Sequence, residues 1–307
     1  MFICRSYVAA ARLLFLITPA VFAQISVKHP VDYANPLVGT APLDNQRLIG
    51  NAPPAGEQLY SGFTSPGAVL PHGSTDIAPI NANLPLSYQA GVPAPYYYPN
   101  PTMIGFSSGG PGGPILMPVV GDWTVPPQRS VSFYNKSREH ASPGYYSVYL
   151  DTFKIGVELT ASAWTGLYRF TYPASARSHL LLDLGWQGGS IEVVGDHMIR
   201  GHFARGRHHA ESYFVAQVSK PFTAFGTFRQ LPPRNGEKGE EGSILGGREV
   251  AAGQSTIAGP FSGAYLDVTT TAGEQVLAKI AYGTSYEQAE QRLQSESPDW
   301  DFDRMHR

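Results

Sequence analysis

At 307 residues the chain has room for one large β domain or two ordinary ones, and composition narrows the choice. Glycine (33) and proline (26) make up nearly a fifth of it and charged residues only 15%, which suits short strands joined by tight turns and predicts an all-β protein. A formal net charge of −2 without clustered Lys and Arg gives no electrostatic footing for nucleic acid or an anionic membrane, and favours uncharged ligands.

In chain order the first feature is a leader. Arg5 and Arg12 precede the apolar run LLFLITPAVFA, and Val21 and Ala23 suit cleavage before Gln24, so residues 1–23 read as a signal peptide. That apolar core is too short to span a bilayer, and no later stretch approaches the ~20 apolar residues a transmembrane helix needs. The mature chain is therefore expected to be exported, periplasmic or extracellular, with neither membrane nor nucleic acid as partner. Its only cysteine, Cys4, lies inside the leader, so no disulfide is available and a large core must hold the fold together.

Residues 28–130 are dominated by turn formers, which predicts short strands between long loops. From Ser130 the texture changes. In HASPGYYSVYL (140–150), Pro143 and Gly144 suit the corners of a type II turn, and Tyr146, Val148 and Leu150 then alternate with Tyr145, Ser147 and Tyr149. KIGVELTASA repeats the alternation, so the two segments predict an antiparallel hairpin across Asp151 to Lys154. Further strands are expected at Leu167–Tyr172, His179–Asp183, Ile191–Val194, His197–Phe203, Tyr213–Val218, Ala264–Thr271 and Gln275–Tyr282, the spacing of a sandwich. The polar, glycine-rich stretch 229–256 reads as an exposed loop or an irregular hairpin. Near the end, Ser285 can cap a helix with Gln288 three residues on, and Pro298 stops it.

Chemistry-bearing motifs are sparse. SSGGPGG at 107–113 lacks the GK[ST] ending of a phosphate loop and reads as a tight backbone loop. His197, His202, His208 and His209 have no helical ligand spacing, so no metal site is assigned. Asp76, Glu158, Asp183 and the other acids are scattered singly and nothing pairs them as catalytic acid and base; for Glu158 and Asp183 solvated or turn-capping roles are the default. No catalytic residue is assigned. Among the tryptophans only Trp123, between Gly121 and Pro126, reads as a sugar-stacking candidate; core or domain-interface packing is the alternative.

The order of segments VDYANPLVGT, TSPGAVLPHG, TMIGFSSGG, ILMP, REHASPGYYSVYL, VELTAS, YRFTYP and LLLDLG, closing with AYGTSYEQAEQRL and PDWDFD, resembles the N-terminal domain of glycoside hydrolase family 92, exported exo-α-mannosidases. The resemblance implies a two-layer β super-sandwich of the galactose-mutarotase-like kind over residues 28–283. Residues 284–307 would be a short helical linker toward an (α/α)₆ barrel, which in the family supplies the catalytic acid and base and most ligands of a calcium ion. No cofactor is expected in this chain itself; calcium would come only with the barrel. Since the sequence ends soon after PDWDFD, the resemblance implies a truncated member: a short product, a broken reading frame or a gene-model error.

The expected partners are α-mannoside glycans and the barrel, in cis or in trans. The sugar-facing loop positions that the resemblance implies are Gly39 and Thr40, then Gly62, Phe63, Thr64, Pro66 and Gly67, then Phe106 and Ser107. Departures stand beside these. GFSSGG at 105–110 replaces the GFSHTH usual in members, a long insertion occupies 41–61, and His72 stands where an aromatic is usual. A stand-alone glycan-binding module, or a scaffold docking a separately encoded barrel, are the alternative readings.

Overall fold

The computed structural model describes residues 29–38, 40, 65–81, 102–108, 113–124, 130–185, 188–205, 210–230 and 248–306. The chain divides into two units. The first ends at Tyr33, and its described part is a 3-10 turn at Pro30–Tyr33. The second, Ala34–Arg307, holds every strand and both α-helices among the described residues.

This second unit is a β-sandwich of two nine-stranded antiparallel sheets. The first sheet contains β1 (Ala68–Val69), β2 (Asp76–Asn81), β3 (Thr102–Ser108), β4 (Ile115–Val120), β10 (Ser175–Asp183), β17 (Ser262–Thr270), β14 (Ala224–Gln230) and β15 (Arg248–Ala252) in that spatial order, with β5 (Ser132–Phe133) paired to β3. The second runs β16 (Thr256–Gly259), β11 (Gly189–Val194), β12 (Met198–Arg205), β13 (Ala210–Val218), β18 (Glu274–Gly283), β9 (Thr165–Tyr172), β8 (Ile155–Ala161), β7 (Tyr145–Leu150) and β6 (His140–Ser142).

Alternation sets which side faces the core. Tyr146, Val148 and Leu150 are buried on β7 and pair with Leu159, Val157 and Ile155 of β8, so one apolar face runs across both strands. Ser142 faces Tyr145 across the Pro143–Gly144 turn, and Gly144 has φ 76°, the left-handed value that glycine adopts without a steric penalty. On β9 the rings of Tyr168, Phe170 and Tyr172 are all but inaccessible, and each such ring contributes about 1.5–3 kcal/mol by leaving water.

The tyrosines also cross the core. Tyr168 and Tyr172 donate their hydroxyls to the Ser107 and His179 carbonyls at 3.5 and 3.0 Å, and the Tyr282 hydroxyl of β18 bonds to Ser108 Oγ. A side chain at Gly166 would meet Ile77 Cδ1 at 2.2 Å, so bare backbone on β9 receives the isoleucine of β2.

The C-terminal segment lies on the outer face of the second sheet. Helix α1 (Tyr286–Glu296) packs Ala289 and Leu293 on Val215 and Ala281. Ser285 Oγ accepts from the Gln288 amide at 3.3 Å, while the Gln288 side chain accepts from the Thr284 amide at 2.8 Å, the reciprocal capping its sequence predicts. Helix α2 (Phe302–His306) follows. Arg169 reaches it from β9, bonded to both oxygens of Glu158, to Asp303 at 2.9 Å, and stacked 4.3 Å over the Phe302 ring. Lys279 lies 4.5 Å over the Trp300 ring, and Arg292 lies 3.5 Å over that of Trp164.

Every strand expected from Gly144 onward is present. Of the two readings of the stretch 229–256, the described part shows the irregular hairpin: Arg229 and Gln230 complete β14 and pair antiparallel with Arg248–Ala252, β15, before Thr256 begins β16. These strands lack an alternating apolar face because β15 and β16 are sheet edges held by backbone pairing. In β14 the pattern is broken at Gly226, where a side chain would meet the Ala251 carbonyl at 2.4 Å and the Tyr265 ring at 2.7 Å. Residues 231–247 lie outside the described residues.

Candidate functional site

Paired residues of neighbouring antiparallel strands share a face. Asp183 of β10 pairs with Ile115 of β4, Ile115 with Ser107 of β3, and Ser107 with Ala78 of β2, so these four mark one row on the outer face of the first sheet. Asp76, two residues from Ala78, falls on the same face. Gly67 lies against it: a side chain there would stand 2.7 Å from Asp76 Oδ1 and 2.5 Å from the Ile77 carbonyl. The fold thus brings two of the expected loop groups, Pro66–Gly67 and Phe106–Ser107, to either side of β2.

Their groups are engaged within the sheet. Pro66 and Gly67 are buried, Phe106 points into the core with no exposed surface, and Ser107 Oγ donates to the Ala78 carbonyl at 3.4 Å. Thr40 is buried and donates its hydroxyl back to the Leu37 carbonyl at 2.8 Å, closing a turn of its own. Gly39, Gly62, Phe63 and Thr64 lie outside the described residues.

Trp123 is on this face as well, at the far end of the β4–β10 row. It is 4% exposed, with ring centres of Tyr265 and Phe228 at 5.0 and 5.5 Å. Arg248 donates to the Trp123 carbonyl at 3.1 Å and to Ser130 Oγ at 2.9 Å, and lies 5.4 Å over the indole. Beside it His179 sits between the Asp267 carboxylate (2.6 Å) and the Gly121 carbonyl (3.0 Å). The indole therefore packs here as a core ring that anchors the 121–124 loop, and no open ring face is turned to solvent.

Two carboxyls define the electrostatics. Burial pushes the Asp76 carboxyl above the usual range, and its Oδ1 has no hydrogen-bond partner among the described residues. Burial also raises Asp183, outweighing the Gly185 amide that donates to Oδ1 at 2.7 Å, the nearby Arg248 and the Gln230 side chain that donates to Oδ2. That amide contact is the turn-capping role that the sequence suggests for Asp183. Gln230 Oε1 is buried and has no hydrogen-bond partner among the described residues.

The register separates the two acids by three strands and two residues, roughly 16 Å. A glycosidase pair needs about 5–5.5 Å for retention or 6.5–9.5 Å for inversion. This face can support loops and present hydrogen-bonding groups, but these two acids cannot act across one glycosidic bond.

Among the described residues no three His, Cys, Asp or Glu side chains come together. His197 bonds to the Val218 carbonyl and His202 to Glu211; His208 and His209 lie outside the described residues. No described helix is long and apolar enough to cross a membrane.

Sequence reasoning missed this face because it names acids one at a time, while the row from Asp183 to Ala78 exists only through strand register. The one available signal was Leu180–Leu182, consecutive apolar residues that mark a strand buried on both sides, with Leu184 beyond Asp183, which places Asp183 away from an open surface.

Comparison with known proteins bears on this geometry. The chain is similar to the family GH92 α-mannosidase BT3965 from Bacteroides thetaiotaomicron, at 24% identity over 90% of this chain and 36% of that one, TM-score 0.66. It is also similar to the family GH92 inverting mannosidase BT2199 of the same organism, at 21% identity over 90% and 34%, TM-score 0.69. At these identities the likeness establishes the fold, and the chain spans about a third of the length of those proteins. Curated protein sequences give no match. The family profile of the glycosyl hydrolase family 92 N-terminal domain matches residues 33–283, most of the chain, and the protein belongs to that family.

Proposed function

We propose that this chain is the non-catalytic, carbohydrate-contacting N-terminal sandwich of an exported α-mannoside hydrolase, acting with an (α/α)₆ barrel in the same chain or a separate one. The observation that carries the reading is the family match over residues 33–283, joined to solved relatives named as mannosidases. The sandwich holds the segments around Thr40, Pro66–Gly67 and Phe106–Ser107 from which loops reach the terminal sugar. The barrel supplies acid, base and calcium. The separation of Asp76 and Asp183 supports this division of labour, since neither can complement the other across a glycosidic bond. Export is proposed from the leader at 1–23.

The test is hydrolysis and binding measured side by side. The purified chain is expected to release no mannose from an aryl α-mannoside, and to gain activity when a family barrel is supplied with calcium. Mannose release by the chain alone would overturn the reading. Measurable mannoside affinity, unchanged by the barrel and never accompanied by hydrolysis, would favour a stand-alone glycan-binding module. Export is checked by the mature N-terminus, expected at Gln24.

A further inference from the structure

His179 lies in the middle of β10, with Asp267 of β17 opposite it on one side and Val119 of β4 on the other, and it is buried. Both of its ring nitrogens meet oxygens. Nδ1 is 2.6 Å from Asp267 Oδ1, and Nε2 is 3.0 Å from the Gly121 carbonyl. A carboxylate and a carbonyl accept hydrogen bonds and donate none, whereas a neutral imidazole has a single N–H to give. The two contacts are hydrogen bonds together only when the ring carries a proton on each nitrogen, with the Asp267 carboxylate balancing its positive charge.

The second contact reaches out of the sheet. Gly121 follows β4 with φ 88°, and it is tied to β10 twice: its amide donates to the Arg177 carbonyl at 2.8 Å, and its carbonyl faces His179 Nε2. Trp123, two residues on, sets its ring edge-on to the imidazole with centres 6.2 Å apart. The charged and titratable groups around the ring come from every element packed on it except β4, which places Val119 there. β17 contributes Asp267 and Tyr265, β10 itself contributes Arg177, and the loop contributes Asp122, whose Oδ1 accepts from the Thr124 amide at 3.1 Å. Arg248 lies beyond the indole, 5.4 Å over that ring.

We propose that His179 is a proton-operated fastener of the 121–124 loop: the doubly protonated ring bridges Asp267 to the Gly121 carbonyl, and loss of one proton opens the bridge at Gly121. The bond to the carboxylate is the stronger of the two, so the proton that passes to water is the one on Nε2. The loop is therefore fastened at the acid end of the range and released as pH rises.

The test is nitrogen NMR of the full-length chain labelled with nitrogen-15 histidine, recorded from pH 5 to 9, the His179 signals being those absent from His179→Gln. Two protonated ring nitrogens are expected at pH 6, with a bare Nε2 appearing as pH rises. Over the same interval the protection of the Gly121 amide against exchange, taken relative to the amides of β9, is expected to fall roughly five- to tenfold, the weight of one hydrogen bond. In His179→Gln that protection no longer follows pH. A bare nitrogen already present at pH 6, a bare Nδ1 in place of Nε2, a ring that keeps both protons to pH 9, or Gly121 protection indifferent to the loss overturns the proposal. Should His179→Gln not fold, Asp267→Asn identifies the signals instead. It removes the balancing charge, so the bare nitrogen and the fall in protection are expected together at lower pH than in the parent. Their appearance at the parent's pH overturns the bridge.

Discussion

Among the described residues each sheet carries a packed patch on its outer face, and the two patches are built differently. On the second sheet one contiguous C-terminal segment packs through stacked cations and rings, with Arg169 over Phe302 and Lys279 over Trp300, and Arg292 of α1 over Trp164. On the first, pieces far apart in sequence converge: Trp123, His179, Phe228, Arg248 and Tyr265. The acids differ accordingly. Burial works to raise Glu158 on the second sheet, but hydrogen bonds from Arg169 and Tyr145 bring it below the ordinary carboxylate range, whereas burial wins at Asp183 on the first. A cation in direct bidentate contact settles one face; the other keeps a carboxyl that resists ionisation.

The largest expected effect breaks the first face. Trp123→Ala removes the ring on which Arg248, Phe228 and Tyr265 pack, and is expected to cost about 3–5 kcal/mol in urea unfolding. Next comes the second face. Arg169→Ala leaves Glu158 with Tyr145 alone and releases Phe302, an expected loss of about 1–3 kcal/mol, with faster amide exchange confined to α2.

The smallest effect sharpens the contrast. Asp183→Asn is expected to raise stability at pH 7 by up to about 1 kcal/mol, because Gln230 can turn Oε1 toward the new amide. The sign with pH follows from the shifts. Asp183 is raised, so the folded state binds its proton more tightly than the unfolded chain, and the advantage of the asparagine shrinks as pH falls toward the carboxylate range. Glu158 is lowered; its contribution is present above the unfolded value of about 4.3 and is lost as pH falls through the folded one. Unfolding curves from pH 7 to 3 for the parent and Asp183→Asn separate the two.

Legibility in sequence followed periodicity. The β7–β8 hairpin was readable because Tyr146, Val148 and Leu150 alternate without interruption, and α1 because Ser285 and Gln288 cap it. β15 was legible only as one arm of an irregular hairpin and β16 not at all, since an edge strand needs no apolar face, and the body of β14 was hidden by Gly226, where tight packing forbids a side chain. Of the candidate site, Gly67 and Ser107 were named only through the family resemblance, and their positions on either side of β2 came from the strand pairing. Their sharing of a face with Asp76 and Asp183 was not legible, because a row across four strands leaves no mark in any one of them.

The hydroxyls of Tyr168, Tyr172 and Tyr282 cross from the second sheet to backbone and side-chain oxygens of the first. An interdigitated apolar core already resists displacement, and these three directional contacts add a fixed relative register between the two sheets. Ser107 and Ser108 of β3 are thereby positioned by tyrosines of the opposite sheet as well as by their own strand neighbours.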